Sequence, residues 1–269
     1  MTTTIETRLM DLTGRVAFVT GGASGIGRAT AHALAAQGAR VIVADINETG
    51  GWETADAIGT AAGFVHLDVT EETAWCRALD YVISTEGRLD ILANVAGIGL
   101  GGDFEDLALA DWNRLMAVNA TGPFLGCKHA IRAMAGSGRP GAIINVGSIA
   151  ATHAAPDLGG YCASKGALRM LSKSVALYCA HKGYPIRCNA VHPTYVDSEM
   201  LDPIAALYGS REAMVQAMAR LVPVGRLAKP ADVAAAVVYL ASDAAGMVTG
   251  TELFVDGGQT AGIAPSHFG

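Results

Sequence analysis

Short apolar segments that alternate with alanine-rich helical segments are the feature that most constrains how this chain folds. The pattern predicts strands at 16–19, 41–44, 64–67, 89–93, 142–146, 186–191 and 252–255, and the first helices at 27–37, 48–58 and 71–85. Because the strands are apolar on both faces, helices must cover both sides of the sheet, which is typical of parallel sheets. Right-handed crossovers then predict an α/β fold with a doubly wound, seven-stranded, Rossmann-like parallel sheet.

The chain is predicted to form one domain over residues 1–269. It is 51% hydrophobic and contains neither a low-complexity linker nor a repeat of fixed period. One core of this size is the simplest account. A glycine-rich stretch at 97–103 and a methionine-rich stretch at 194–221 interrupt the alternation after two strands. We expect the second to be a helical insertion at a ligand-binding edge, either a lid over a substrate or a hairpin packed on the core.

Composition limits the kinds of partner, the location and the metal sites that can be expected of this chain. The net charge of −6 and the lack of a Lys/Arg run argue against nucleic-acid binding. No uncharged apolar run reaches the roughly 18–20 residues that span a bilayer, and the first fifteen residues lack the apolar stretch of a secretory signal. Five scattered cysteines without a CxxC pair or a Cys/His cluster predict free thiols, a reducing cytoplasm and no metal site.

A glycine-rich turn follows the first strand directly, as TGGASGIG at 20–27, and opens a helix. Glycine permits the tight turn and the close approach of a diphosphate, and the helix N-terminus offers unpaired N–H groups and a positive dipole end. The placement between strand and helix is the context that this motif requires. The sequence therefore predicts a dinucleotide site that includes Gly21, Ser24, Gly25, Ile26 and Gly27.

An acid at the end of the second strand bears on the choice of dinucleotide. Asp45 lies eighteen residues after Gly27, close to the spacing of about twenty expected of a ribose-binding acid. Its carboxylate would repel a 2′-phosphate, and Arg28 is the only basic residue near the turn, so NAD is favoured over NADP. The alternative is that Asp45 is a turn residue. Asp68, at the end of the third strand, either accepts from adenine or caps the turn before Val69 and Thr70.

A tyrosine and a lysine four residues apart, Tyr161 and Lys165, lie on one face of a predicted helix. A nearby cation lowers a tyrosine pKa, whose ordinary value of about 10 makes the phenol a poor base. Ser148 lies thirteen residues earlier, after an apolar strand, and Asn119 lies in a helical segment.

Together these elements resemble the short-chain dehydrogenase/reductase family in its single-domain branch, over nearly the whole chain. The matching motifs are TGGASGIG at 20–27, Asp68-Val69, NVAG at 94–97, Asn119, Ser148, YCASK at 161–165 and His192-Pro193. The resemblance implies that Tyr161 is the acid/base and that Ser148 orients the substrate oxygen. It implies that Lys165 lowers the pKa of Tyr161 and holds the nicotinamide ribose, and that Asn119 links Lys165 to solvent through a water.

The same resemblance assigns further cofactor contacts. Asn94 would support the cofactor by bonding the adjacent strand backbone, and the remaining cofactor residues would be Asp68, Val69, Ala96, Gly97, Pro193, Val196 and Ser198. The chain departs from the family pattern at Val95, where asparagine is common, and at Thr194, where glycine is usual. Ser198 replaces a common threonine and keeps the hydroxyl. Pocket shape is therefore the property that transfers least.

The resulting interpretation is an NAD-dependent oxidoreductase acting on a secondary alcohol or ketone. The segment 192–200 looks like that of cyclic-alcohol and hydroxysteroid dehydrogenases, and the expected substrate contacts, for a hydrophobic cyclic or aromatic molecule, are Ala150, His153, Tyr195, Met200 and Leu201. The family implies a homotetramer built partly on the helices at 109–134 and 160–179. A separate hypothesis is that the tail 263–269 covers the site of a neighbouring subunit. The alternatives are an NADPH-dependent 3-oxoacyl-carrier-protein reductase and a non-catalytic NAD-binding redox sensor.

Overall fold

The computed structural model describes residues 10–262, whose seven strands form one parallel sheet in the order β3-β2-β1-β4-β5-β6-β7. The tail 263–269 and the prediction made for it lie outside the described residues. The strands are β1 Val16–Thr20, β2 Arg40–Asp45, β3 Ala62–His66, β4 Ile91–Asn94, β5 Gly141–Val146, β6 Ile186–Pro193 and β7 Glu252–Val255. The predicted α/β fold and doubly wound sheet are confirmed, and the single-domain boundary of 1–269 stays a prediction.

Helices cover both faces of this sheet. They are α1 Gly25–Ala36, α2 Glu48–Ile58, α3 Glu72–Glu86, α4 Leu109–Met116, α5 Gly122–Ala135, α6 Gly159–His181, α7 Asp202–Ala205, α8 Arg211–Ala219 and α9 Pro230–Ala241. A π-helical turn, Ala117–Thr121, joins α4 to α5. Along residues 10–262, no helix combines the length and the hydropathy that crossing a membrane requires.

Two apolar layers hold the helices on the sheet. Leu34 of α1 and Val237 of α9 pack with Val43 on one face. On the other face, Trp75 of α3 is fully buried, with its ring 5.9 Å from that of Phe18. Burial of large side chains on both faces explains why the strands read as continuous apolar runs.

The connections reverse direction at β1, which lies between β2 and β4. In open α/β sheets a crevice for ligands forms at such a point, beyond the carboxyl ends of the strands. Thr20 ends β1, and its Oγ1 accepts hydrogen bonds from the backbone N–H groups of Val95 (3.0 Å) and Ala96 (3.1 Å). The glycine turn after β1 is thereby fastened to the loop after β4.

The segment 194–221 is helical, as predicted. It contains a 3₁₀ turn at Glu199–Leu201, then α7, a 3₁₀ turn at Ala206–Tyr208, and α8. Met214 and Met218 of α8 are buried with Leu227, and Tyr195 and Leu201 pack against them. The segment therefore has a small apolar core of its own, and its motion as a lid stays a prediction.

Candidate active site

The glycine turn folds so tightly that Gly21 and Gly27 cannot be replaced without displacing backbone. A Cβ on Gly27 would lie 1.9 Å from the carbonyl oxygen of Gly21. Gly21 itself has φ of +67°, and its added Cβ would lie 2.8 Å from the Cα of Ala96. No described side chain caps the N-terminus of α1 at Ser24, so N–H groups of Gly25, Ile26 and Gly27 face an open cradle. This arrangement fits the diphosphate of a dinucleotide.

Asp45 lies beside this cradle at the end of β2. Its two carboxylate oxygens accept hydrogen bonds from the backbone N–H groups of Ala23 (3.0 Å) and Asn47 (2.9 Å). The side chain thus serves in the turn, which was one of the two predicted roles. A carboxylate has about four acceptor positions, so it keeps capacity for ribose hydroxyls.

The Arg28 side chain, from α1, contacts the glycine turn and α2. Its guanidinium donates to the Ala23 carbonyl oxygen and, at 3.2 Å, to Thr54 Oγ1, and lies 3.7 Å from the carboxylate of Glu53. These contacts keep the positive charge of the Arg28 guanidinium between α1 and α2, on one side of the glycine turn.

Asp68 caps a turn, which was one of its two predicted roles. Its Oδ1 accepts from the Thr70 backbone N–H (2.9 Å) and from Thr70 Oγ1 (2.7 Å). Val69 packs against Gly122 at the start of α5. Contact of Asp68 and Val69 with adenine stays a prediction.

Asn94 differs from its prediction. Instead of bonding strand backbone, its Nδ2 donates to the side-chain Oδ1 of Asn145 at 2.8 Å, and Asn145 Nδ2 donates to Ser172 Oγ at 2.9 Å. The reason is the register: Asn94 and Asn145 are paired across β4 and β5, so their side chains point to one face while the ladder takes their backbone groups. The chain of amides ties both strand ends to α6.

Asn119 is fully buried in the π-helical turn. Its Oδ1 accepts from the Ile98 N–H (2.9 Å), and its Nδ2 donates to the Ile98 carbonyl (2.9 Å) and to Ser164 Oγ (3.0 Å). Asn119 therefore fixes the glycine-rich loop after β4 to α6. Ser164 in this role went unnoticed in the sequence, although its place next to Lys165 in the YCASK motif was a usable signal.

Lys165 lies beside this junction. Its Nζ donates to the Val146 carbonyl at 3.1 Å and lies 5.7 Å from the centroid of the Tyr161 ring. A Cβ on Gly97 would be 3.3 Å from Asn119 Oδ1 and 3.4 Å from Lys165 Nζ. The structure thus brings Asn119, Tyr161 and Lys165 to the carboxyl end of β4 and β5.

Ser148 completes the group from the loop after β5. Its Oγ accepts from the Ala150 N–H at 3.1 Å, and a hydrogen bond from the serine lowers the pKa of Tyr161. Burial has the larger effect and raises the pKa of Tyr161 above its ordinary value of 10.0. Burial also lowers the pKa of Lys165 to about 8. Desolvation of the phenol dominates this balance, and the predicted lowering of the Tyr161 pKa by Lys165 stays a prediction.

Three predicted cofactor residues lie at the end of β6 and in the segment after it. Pro193 is the last residue of β6 and is buried, and Val196 is buried and forms an isolated parallel β-bridge with Ala228. Ser198 Oγ lies 4.0 Å, and its Cβ 3.5 Å, from the position of a Cβ on Gly25, so the segment reaches the glycine turn. Thr194, which replaces the family glycine, bonds the side chain of Gln259.

The five predicted substrate residues differ in burial and in contacts. Ala150 is buried behind Ser148, while His153 is exposed and bonds Thr152. Tyr195 is half-buried, and burial raises its pKa. Met200 Sδ approaches to 3.9 Å of a Cβ on Gly99, so it reaches across to the loop after β4.

Leu201 packs instead into the apolar core of the segment 194–221. Contact of any of the five predicted residues with substrate stays a prediction.

A polar cavity of about 600 Å³ lies between α1 and the segment 194–221. Arg211 Nη2 pairs with Asp197 and Arg211 Nη1 with Asp202, both at 2.6 Å, and Glu199 lies near Gly25. The sequence analysis missed this ion-pair clasp, since spacings of nine and fourteen residues carry no recognisable pattern. Within the part of the chain that the structure describes, no group of three His, Cys, Asp or Glu could hold a metal ion, and the cysteines are free.

Comparison with known proteins places this geometry in a family. A family model described as enoyl-(acyl carrier protein) reductase matches residues 21–260. The chain is 41% identical to the 3-alpha-(or 20-beta)-hydroxysteroid dehydrogenase of Mycobacterium tuberculosis, covering 96% of this chain and 94% of that one. It is 39% identical to the NADP-dependent (R)-specific alcohol dehydrogenase of Lentilactobacillus kefiri, covering 93% of this chain and 98% of that one.

A solved structure agrees. The 3-ketoacyl-(acyl-carrier-protein) reductase of Brucella melitensis, complexed with NADH, superposes with a TM-score of 0.87 at 33% identity, covering 93% of this chain and 100% of that one. Similarity of this extent in sequence and in fold leaves one conclusion. The chain belongs to the short-chain dehydrogenase/reductase family.

Proposed function

We propose that this oxidoreductase transfers a hydride between NAD(H) and a secondary alcohol or ketone, with Tyr161 as the acid/base. The observation that carries the proposal is the grouping of half-buried Tyr161 with Lys165, whose Nζ lies 5.7 Å from the ring centroid, and with Ser148, which lowers the pKa of the phenol, at the same sheet edge as the glycine turn. Such a grouping would supply a proton donor, an oxygen-binding hydroxyl and a diphosphate cradle at one edge of the sheet.

The chain's own residues account for the proton and the orientation. When bound, the dinucleotide supplies the hydride acceptor or donor, held at the glycine turn, at Asp45 and at Lys165. Ser148 would hold the substrate oxygen, and Tyr161 would give its proton to a ketone oxygen or take one from an alcohol. Because burial raises the pKa of Tyr161, its phenol is protonated at neutral pH, which suits donation to a ketone.

NAD rather than NADP is proposed as the cofactor. The support is the Asp45 carboxylate, fixed by two backbone N–H groups next to the diphosphate cradle, where it would repel a 2′-phosphate. The guanidinium of Arg28 is already paired with Ala23, Thr54 and Glu53. The Brucella melitensis reductase is complexed with NADH, whereas the Lentilactobacillus kefiri enzyme is NADP-dependent, so the relatives alone do not choose.

A hydrophobic, cyclic or aromatic substrate is proposed. Its support is the apolar or aromatic character of Ala150, Tyr195 and Met200, which follow β5 and β6 in the chain. Two of the relatives, at 41% and 38% identity, are hydroxysteroid dehydrogenases. We further propose a homotetramer in the cytoplasm. Its support is the apolar surface of α5 and α6, on which Phe124, Met170 and Leu177 are exposed, together with the free cysteines.

The test is turnover by the purified protein with a panel of cyclic and aryl secondary alcohols, using NAD⁺ beside NADP⁺ and following absorbance of the reduced nicotinamide. Tyr161→Phe should lower kcat by at least about a hundredfold with dinucleotide affinity retained, since acid/base groups contribute roughly 10²–10⁴-fold. Tyr178→Phe, on the exposed side of the same helix, is the matched control. Full activity of Tyr161→Phe would refute the assigned role, and NAD binding without any turnover would favour the redox sensor.

A second candidate is a 3-oxoacyl-carrier-protein reductase that uses NADPH. It is favoured by the family model matched and by the Brucella melitensis structure. The net charge of −6 opposes docking of an acidic carrier. Reduction of an acetoacetyl thioester with NADPH, in preference to cyclic ketones with NADH, would establish this candidate over the first.

A further inference from the structure

His192 is a fully buried histidine that the mechanism above does not use. It lies near the end of β6 with no exposed surface, and its Nε2 has no hydrogen-bond partner among the described residues. A buried imidazole nitrogen without a hydrogen-bond partner costs free energy, so the presence of this histidine needs an explanation. The residues in contact with the imidazole provide one.

The imidazole bonds the backbone of Ser148 rather than its side chain. His192 Nδ1 lies 2.9 Å from the Ser148 carbonyl oxygen and 3.2 Å from the Ser148 backbone nitrogen. Either neutral tautomer can therefore bond the Ser148 backbone: one donates to the carbonyl oxygen and the other accepts from the N–H. Gly147 leaves the necessary room, because a Cβ there would lie 2.4 Å from Nδ1.

These bonds continue the sheet past its end. The paired register of β5 and β6 finishes at Val146 and Val191, and the Gly147 N–H then donates to the Val191 carbonyl at 2.7 Å. Beyond this point the side chain of His192 takes over the contact with the loop that follows β5. Ser148 is thereby held in extended backbone conformation, with φ of −170°.

The other side of the imidazole faces the helix that carries Tyr161. Nε2 lies 3.9 Å from the carboxylate of Glu252, which Arg169 Nε bonds at 2.7 Å and Lys173 also pairs. Arg169 and Lys173 are eight and twelve residues after Tyr161 on α6, about two and three turns further along the helix. A series of contacts, from Ser148 to His192, from His192 to Glu252 and from Glu252 to α6, therefore connects the loop that carries Ser148 to the helix that carries Tyr161.

We propose that His192 is a positioning residue that fixes the Ser148 backbone, so that the serine hydroxyl meets Tyr161 and the substrate oxygen. The inference rests on the proposed function in assigning Ser148 to the substrate oxygen. His192 acts through Ser148 and touches no reacting atom. Replacing His192 should therefore lower kcat and leave the affinity for the dinucleotide unchanged.

A pair of polar substitutions separates this role from general packing. The amide of asparagine falls close to Nδ1, whereas the longer glutamine places its amide near Nε2, away from Ser148. His192→Asn should therefore retain the contact and His192→Gln should lose it. Phe254→Leu, at a ring 5.2 Å from the imidazole, is the matched packing control.

Kinetics provide the first readout. We expect His192→Gln to lower kcat by about 10–100-fold, as misplacement of an orienting group does, with the Kd for NADH unchanged within about threefold. His192→Asn should keep kcat within about fivefold, and Phe254→Leu likewise. In a Ser148→Ala background, followed at high enzyme concentration, His192→Gln should lower kcat by less than about threefold. Equal effects in both backgrounds, or a Phe254→Leu defect as large as that of His192→Gln, would overturn the proposal.

Amide hydrogen exchange provides a readout that needs no substrate. The peptide covering 147–153 should exchange at least about tenfold faster in His192→Gln than in the wild-type protein, and near the wild-type rate in His192→Asn. Unchanged exchange in His192→Gln refutes the positioning role. A wild-type protein that turns over no alcohol or ketone refutes the proposed function instead, and the exchange measurement still decides the role of His192.

Discussion

Lys165 is a buried ammonium group, and replacing it should stabilise the protein while it abolishes turnover. Burial lowers the pKa of Lys165 from 10.5 to about 8. Such a fall corresponds to about 3 kcal/mol of unfavourable free energy for the charged form in the folded state. Lys165→Met keeps the length of the aliphatic chain and removes the charge.

The expected gain at pH 7 is smaller than this figure. Met cannot donate to the Val146 carbonyl, and the loss of that hydrogen bond costs about 1 kcal/mol. We therefore expect the free energy of unfolding of Lys165→Met to exceed that of the wild-type protein by about 2 kcal/mol at pH 7. A gain in stability from removing an active-site charge is an expected trade-off between stability and activity.

The pH dependence has a definite sign. A lysine with a lowered folded pKa binds fewer protons in the folded state than in the unfolded state between pH 8 and 10.5, so its contribution to stability rises with pH in that window. The advantage of Lys165→Met should therefore be constant below about pH 7.5 and should shrink towards zero by about pH 10.

Urea unfolding at fixed protein concentration, at pH 7 and at pH 10, measures both quantities. Lys182→Met is the matched control, because Lys182 is exposed at the end of the same helix and should show no pH-dependent gain. A variant less stable than the wild-type protein at pH 7, or a stability difference that does not change with pH, would refute the reasoning.

Three further substitutions test the cradle, the cofactor choice and the core. Gly27→Ala forces a Cβ against the Gly21 carbonyl and should weaken dinucleotide binding, measured by calorimetry, at least about tenfold. Gly136→Ala, where an added Cβ meets open space, should leave the affinity unchanged. Equal affinities of the two variants would contradict the assignment of the glycine turn as the diphosphate cradle. Asp45→Ser should lower the ratio of kcat/KM for NAD⁺ over NADP⁺ by about a hundredfold, and an unchanged ratio would remove Asp45 from cofactor choice. Asp90→Ala leaves the buried Val16 N–H without its acceptor (2.8 Å) and should cost about 2–3 kcal/mol in urea unfolding; a loss under about 0.5 would contradict that.

The fold was predictable because it depends on local periodicity. Continuous apolar strands between helical segments leave few arrangements other than a doubly wound parallel sheet, and the observed order agrees. Strand limits were less predictable: β3 begins at Ala62 and not at 64, because pairing with β2 sets its start. Pairing partners lie far apart in sequence and leave no local signal.

The glycine turn, Asp45 and the Tyr161–Lys165 pair were readable from the sequence, because each depends on short spacings or on a neighbouring strand end. Only the tertiary structure decided how these residues are held. The partner of Asn94 follows from the register of β4 with β5, and the contact of His192 with Ser148 follows from the order of β5 and β6. The direction of the Tyr161 pKa follows from burial by several elements at once. Short-range chemistry is therefore written in the sequence, whereas desolvation and long-range pairing exist only once the sheet has brought distant residues together.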